Sequence, residues 1–284
     1  MRKLLILAVL CVGSGLGQPA GLERARELFQ RTEYQAALVV LDGSTERSAE
    51  LFLLRGKCHF MRGDFKKSSD ALEQAVRLAP NDSQTQLWLG RAYGRRAETS
   101  SFLTAPGLAG TARERFERAV ALNPGNKDAV GDLFEYYMQA PGFLGGGVDK
   151  AMALAEKFKH SDAAEYHYRL AQFARKRKDL KSTEQQLRLA MEAAPEQVGR
   201  IIDVAQFLAE QRRYQESDAL FVEAERAAPA SAKLLIERAR AYIEAGRNLD
   251  KARELLARYL KSPLTPDDPP RREAEQLLKR AVAG

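Results

Sequence analysis

Four glycines and one proline crowd the segment APGFLGGGVDK, residues 140–150. A glycine-rich loop opening onto a helix can wrap its backbone amides around phosphate, so nucleotide chemistry is the first possibility this stretch raises. That chemistry has a strict spelling: G-x-x-x-x-G-K-[ST] after a buried strand, with the lysine on phosphate and the hydroxyl on magnesium. Counting from Gly142, the sixth position is Gly147, but Val148 and Asp149 follow it and Lys150 arrives two places late. No frame reads G-x-G-x-x-G, and the residues before Ala140 carry a helical pattern rather than a strand. Asp149 would also set a negative charge where phosphate must sit. The segment reads as a turn: Pro141 and Gly142 stop one helix, the glycines permit positive φ, and Asp149 caps the next. Nucleotide or anion binding by 142–150 stays as the alternative function, in the form of a weak anion nest.

The other chemical residues are sparse. His59, His160 and His167 fall in three separate helical settings, with no i, i+4 pair and no thiol or carboxylate cluster at zinc spacing. Cys11 and Cys58 are the two cysteines; Cys58 sits in an apolar helical stretch and reads as a buried structural thiol. No nucleophile elbow frames a serine. These readings predict no catalytic residues, no metal and no cofactor, hence no enzyme. The run ARKRKD, residues 174–179, reads as a solvated helix end whose cations complement the dipole.

Residues 1–17 read as a secretory signal peptide: a basic MRK, nine apolar residues LLILAVLCV, and a small-residue tail, with cleavage expected after Gly17. The apolar run is too short for a membrane anchor. A lipoprotein signal would need a small residue before its cysteine, and Leu10 precedes Cys11. The expected location is periplasmic or secreted, without stable membrane insertion after cleavage. Net charge is +7 over 284 residues and the pI is near 9.4, which favours acidic partners. Export argues against nucleic acid as a partner.

The elements that would position any site are repeated. ALEQAVRLAP ends at Pro80, RFERAVALNP at Pro124, QLRLAMEAAP at Pro195 and LFVEAERAAP at Pro229. Each carries a large apolar residue eight before the proline (Leu72, Phe116, Leu187, Phe221) and an alanine five before it (Ala75, Ala119, Ala190, Ala224). The prolines are 44, 71 and 34 residues apart, so the middle gap holds two units and an insertion. Upstream, LFLLRGKCHFMRGDF supplies Gly56, Gly63 and Phe65, LWLGRAYG supplies Leu89, Gly90 and Tyr93, and ERARAYIEAGRNLDKA supplies Ala239, Tyr242, Gly246 and Ala252.

This spelling resembles the tetratricopeptide repeat (TPR), a helix–turn–helix unit of 34 residues. The stretch GRAYG…FERAVALNPGN…FEYYMQAPGFLGGG is also similar to exported bacterial TPR proteins, and distantly to the TPR domain of the eukaryotic regulators of microtubule dynamics. The resemblance implies an all-α, right-handed superhelical solenoid over residues 18–266. About seven units begin near 18, 49, 83, 127, 164, 198 and 232, the first degenerate, and 267–284 form a capping helix.

It also implies a non-catalytic protein-interaction scaffold, here of the cell envelope, that docks peptides or proteins along the concave face of the first helices. The corresponding positions are Lys57, Phe60, Met61, Leu87, Arg91, Arg95, Glu135, Met138, Gln139, Tyr168, Gln172, Arg175, Lys176 and Arg240. Cationic and amphipathic side chains alternate there, which suits an acidic or extended peptide. Two adjacent units carry insertions between their helices, GRRAETSSFLTAPGLAGTAR and YYMQAPGFLGGGVDKA. APGLAG, residues 105–110, reads as an echo of the glycine turn. Stacked side by side, the insertions would gather Phe102, Leu103, Leu108, Phe143 and Leu144 into an apolar edge, a second docking surface or the seat of a homodimer.

Overall fold

The computed structural model describes residues 20–283, so the expected leader at 1–17 lies outside the described residues. Seven helix pairs follow one another: α1 (Ala20–Gln30) with α2 (Tyr34–Asp42), α3 (Ala49–Arg62) with α4 (Phe65–Leu78), α5 (Ser83–Glu98) with α6 (Ala105–Leu122), α7 (Lys127–Gln139) with α8 (Val148–Ala155), α9 (Ala163–Lys176) with α10 (Leu180–Ala193), α11 (Val198–Glu210) with α12 (Tyr214–Ala227), and α13 (Ala232–Glu244) with α14 (Leu249–Lys261). The single helix α15 (Arg271–Ala283) packs on α13 and α14. The fold is an all-helical solenoid.

The repeated residues explain the pairing. Ala75, Ala119, Ala190 and Ala224 are wholly buried, so a second helix can lie close against its first. At Gly90 a Cβ would stand 2.6 Å from the Phe116 ring, and at Gly56 it would collide with Leu72. Only glycine admits those large side chains at full depth. Pro80, Pro124, Pro195 and Pro229 each fall two residues beyond a second helix and prevent its continuation. Ser48, Asp82, Asn126 and Asp162 cap four of the first helices through their side chains. The degenerate first unit also forms a helix pair, around buried Leu22, Leu28, Phe29, Leu38 and Leu41.

The two insertions differ from each other. APGLAG is no turn: residues 105–110 form the opening of α6, with Pro106 in its first turn where a missing amide costs nothing. That unit spreads its extra length over two longer helices and a longer connection at 99–104. Only the other insertion is a glycine turn, with a 3₁₀ segment at Gly142–Leu144 and Gly145 in the left-handed region at φ 84°. Gly147, not Asp149, occupies the cap position of α8, and Asp149 lies within its first turn.

The superhelix winds far enough for its ends to meet. The segment between α14 and α15 lies against the turns of the first two units. Leu264, Pro269 and Pro270 face Thr32, Tyr34 and Met61 across a cleft of about 230 Å³. The Arg272 guanidinium crosses to lie 5.9 Å from the centre of the Phe65 ring, in space that the absent side chain of Gly63 leaves open. Burial raises the Tyr34 phenol to about 12.

Candidate binding groove

The first helices form the inner wall. Contacts run directly from α1 to α3, α3 to α5, α5 to α7, α11 to α13 and α13 to α15. Side chains stitch this wall together from one unit to the next. Arg91 donates to Asp132 at 2.6 Å and approaches Asp128 at 3.5 Å; Arg200 donates to Glu165 at 2.6 Å. Arg175 meets Glu210 at 3.3 Å, Gln206 donates to Glu237 at 2.6 Å, and Arg240 donates to Glu273 at 2.8 Å. The cations that make the groove look basic in sequence are therefore largely neutralised by the next unit's acids.

Helix α9 departs from the close spacing, standing off from α7 and α11. Large side chains fill the gaps: Arg169 lies over the Phe134 ring at 5.1 Å, and Arg200 over the Tyr168 ring at 4.2 Å. Between the three helices opens a pocket of about 540 Å³. Its floor is apolar, from buried Phe134, Met138, Ala171 and Leu187, and Gln139, Gln172 and Gln206 bring amides to it. Glu135 and Asp203 face in from α7 and α11, while Arg175 and Lys176 stand in the last turn of α9. Burial raises the Glu135 carboxyl, with Asp132 adding to the effect. Although Glu135 keeps solvent contact, the groove walls around it displace enough water for this. Burial likewise raises Asp203, outweighing Arg200.

Seven of the groove residues expected from sequence meet in this pocket: Glu135, Met138, Gln139, Tyr168, Gln172, Arg175 and Lys176. Arg91 and Arg240 lie on the same wall within their ion pairs. Lys57 stands 5.0 Å and Arg91 4.9 Å from the centre of the Trp88 ring, with Phe60 edge-on to that ring at 5.4 Å. Burial lowers the Lys57 ammonium, and Arg91 lowers it further. Arg95 pairs with Glu98 and covers the Phe65 ring at 5.2 Å.

Two positions do not belong to the groove. Leu87 is completely buried in the core beneath α6 and α7, and its neighbour Trp88 takes the groove-facing direction instead. Met61 turns into the cleft between the first two helix pairs and the segment before α15. Sequence reasoning missed Trp88, Asp203 and Gln206. Trp88 is the sole tryptophan and stands beside the recognised Leu89-Gly90 pair, a signal that could have found it. Asp203 and Gln206 lie in VGRIIDVAQFLAE, where apolar residues dominate and mask the groove face.

The glycine turn is closed on itself. The amides of Gly145, Gly146 and Gly147 donate to Gly142, Pro141 and Tyr137 at 2.9, 3.2 and 2.9 Å. Lys150 donates to the Gly145 carbonyl at 2.9 Å, and Tyr136 to that of Leu144 at 2.8 Å. The amides that a phosphate nest would use are already engaged. At the edge, Phe102, Leu103 and Phe143 are 82%, 77% and 82% exposed, whereas Leu108 and Leu144 are half-buried. The two insertions do adjoin, since Arg113 of α6 donates to the Leu144 carbonyl at 3.3 Å.

Elsewhere, Cys58 is buried and its thiol is pushed up to about 12 by desolvation. His59 faces Asp64, and His167 bonds Gln186. Among the described residues no three His, Cys, Asp or Glu side chains gather as a metal site, and no helix is long and apolar enough to cross a membrane.

Residues 49–82 match the family model for the tetratricopeptide repeat. No curated protein matches the chain in sequence. Among solved structures, it is similar to a tetratricopeptide repeat protein from Parabacteroides merdae, at TM-score 0.58 and 11% identity, covering 92% of this chain and 97% of that one. It is also similar to a thermophilic TPR protein of Thermus thermophilus, at TM-score 0.54 and 19% identity, covering 66% of this chain and 97% of that one. Identities this low speak for the shared fold.

Proposed function

We propose that this chain, a protein of the tetratricopeptide-repeat fold, is a non-catalytic scaffold of the cell envelope that holds an extended peptide or protein segment in its groove. One observation carries this reading: the pocket between α7, α9 and α11, with an apolar floor and three glutamine amides. Glutamine offers both a donor and an acceptor, which is what an extended backbone needs. Residues 1–17, taken as an export signal, would place the scaffold in the periplasm or outside the cell. The internal pairing of Arg91, Arg175 and Arg240 removes most of the ground for a strongly acidic partner. Gln172→Trp fills the pocket from its wall, and it is expected to reduce capture of native partners from the envelope at least about tenfold while the chain stays folded, with at most a small fall in melting temperature from the lost Arg169 hydrogen bond. Undiminished capture would overturn the groove reading.

A second reading rests on Phe102, Leu103 and Phe143, three nearly naked apolar side chains on adjoining insertions. As a self-association surface they predict a concentration-dependent dimer in sedimentation that Phe143→Ser converts to monomer. A wild-type chain that stays monomeric at every concentration disposes of this reading.

A further inference from the structure

The pocket's charges and amides point to one class of guest. Resting on the groove reading above, we infer that the partner segment inserts a lysine or arginine side chain between Glu135 and Asp203 while its backbone bonds Gln172 and Gln206. Of the four ionic residues lining the pocket, Arg175 is engaged by Glu210, and Arg175 and Lys176 are both exposed at the end of α9. The two carboxylates project from mid-helix positions of α7 and α11; Asp203 is the more buried and Glu135 is exposed like Arg175 and Lys176, so the negative charge lies on the α7 and α11 walls and the positive charge at the end of α9. Among the described residues Glu135 has no hydrogen-bond or ion-pair partner, and Asp203 pairs with Arg200 at 3.4 Å, with Lys233 and Arg175 further off. A guest cation would supply the counter-charge that Glu135 lacks and add to the one that Asp203 has in Arg200.

The remaining lining narrows the guest further. Phe134 is buried and Arg169 and Arg200 both lie over the Tyr168 ring, so little ring surface is left for an aromatic guest to stack on. Met138, Ala171 and Leu187 offer an apolar track instead, suited to the methylene stem of a long basic side chain. Gln172 accepts from Arg169 through its oxygen and keeps its amide hydrogens for a guest carbonyl. Gln206 donates to Glu237 and keeps its oxygen for a guest N–H. One donor and one acceptor on neighbouring helices match an extended peptide unit. A divalent metal is a poorer fit, because two carboxylates without a third ligand make too small an oxygen set.

The test is selection of random extended peptides on the full chain, followed by titration of the selected peptides. Lysine or arginine should be enriched at one position. Replacing it by acetyl-lysine or citrulline should weaken binding at least about tenfold, as should Glu135→Gln, and Glu135→Lys should shift the preference to an acidic residue. If Gln172→Trp abolishes binding while the peptides show no basic preference and Glu135→Gln changes nothing, the inference falls and the groove reading stands. Peptides that ignore Gln172→Trp overturn the groove reading, and a library without binders overturns both. Spermidine binding as tightly as the selected peptides would also sink the proposal, assigning the site to small polyamines.

Discussion

Phe221→Ala is expected to destabilise the protein by about 3–5 kcal/mol, the range for deleting a large ring from a packed core. Phe221 is 1% exposed and belongs to a cluster with Ile201, Ile202, Ala205, Ala209, Ala224 and Leu234. Those residues come from α11, α12 and α13, so one ring joins its own unit to the next. In a solenoid each unit is stabilised only by its neighbours, and losing such a joint weakens the chain locally. Urea titration followed by circular dichroism measures the total loss. The fluorescence of Trp88, far from the substitution along the chain, reports the earlier units. A loss below about 1 kcal/mol would show that the cluster is not the core described here.

Glu165→Ala carries the second large effect, about 3 kcal/mol or more, for a different reason. Glu165 lies between Arg169 and Arg200, and all three side chains are only 12–13% exposed. Removing the carboxylate leaves two guanidiniums crowded together with weaker compensation from Gln172 and Asp203. Those arginines also cover Phe134 and Tyr168 and hold α9 away from its neighbours, so the pocket should change shape together with the loss of stability. Removing Glu165 and Arg200 together should cost less than the sum of the two single losses, because each single change strands the other's charge, although the pair of changes still leaves Arg169 without its carboxylate. A double-mutant cycle measures this; a negligible coupling energy would refute the network's role.

The architecture was largely readable from residue types at fixed spacing. The buried alanine, the terminating proline and the glycine under a large side chain are each demanded by one local contact, and their recurrence announces the unit. The APGLAG echo misled because proline and glycine are tolerated in the first turn of a helix, so two similar strings became a helix start and a true turn. Groove residues were legible where helical phase alone decides exposure, as for Glu135, Gln172 and Lys176. Leu87 failed because the phase taken from the repeat put it on the groove face, whereas the fold turns it into the core and leaves Trp88 to the groove. The ionic pairing was invisible for a simpler reason: Arg91 and Asp132 stand 41 positions apart, across an insertion whose shape had to be known first.

The meeting of the first two helix pairs with the segment before α15 has a consequence for traffic. A solenoid with free ends is a trough that a partner can enter sideways, whereas one whose last loop rests on its first turn is a hoop. A slender unfolded strand can be threaded through a hoop; a strand with a bulky folded domain at each end can enter only when the hoop parts. The contact of Arg272 with Phe65, beside Gly63, is then the clasp. Its strength would set how fast such partners arrive and leave, separately from how tightly the groove holds them once inside.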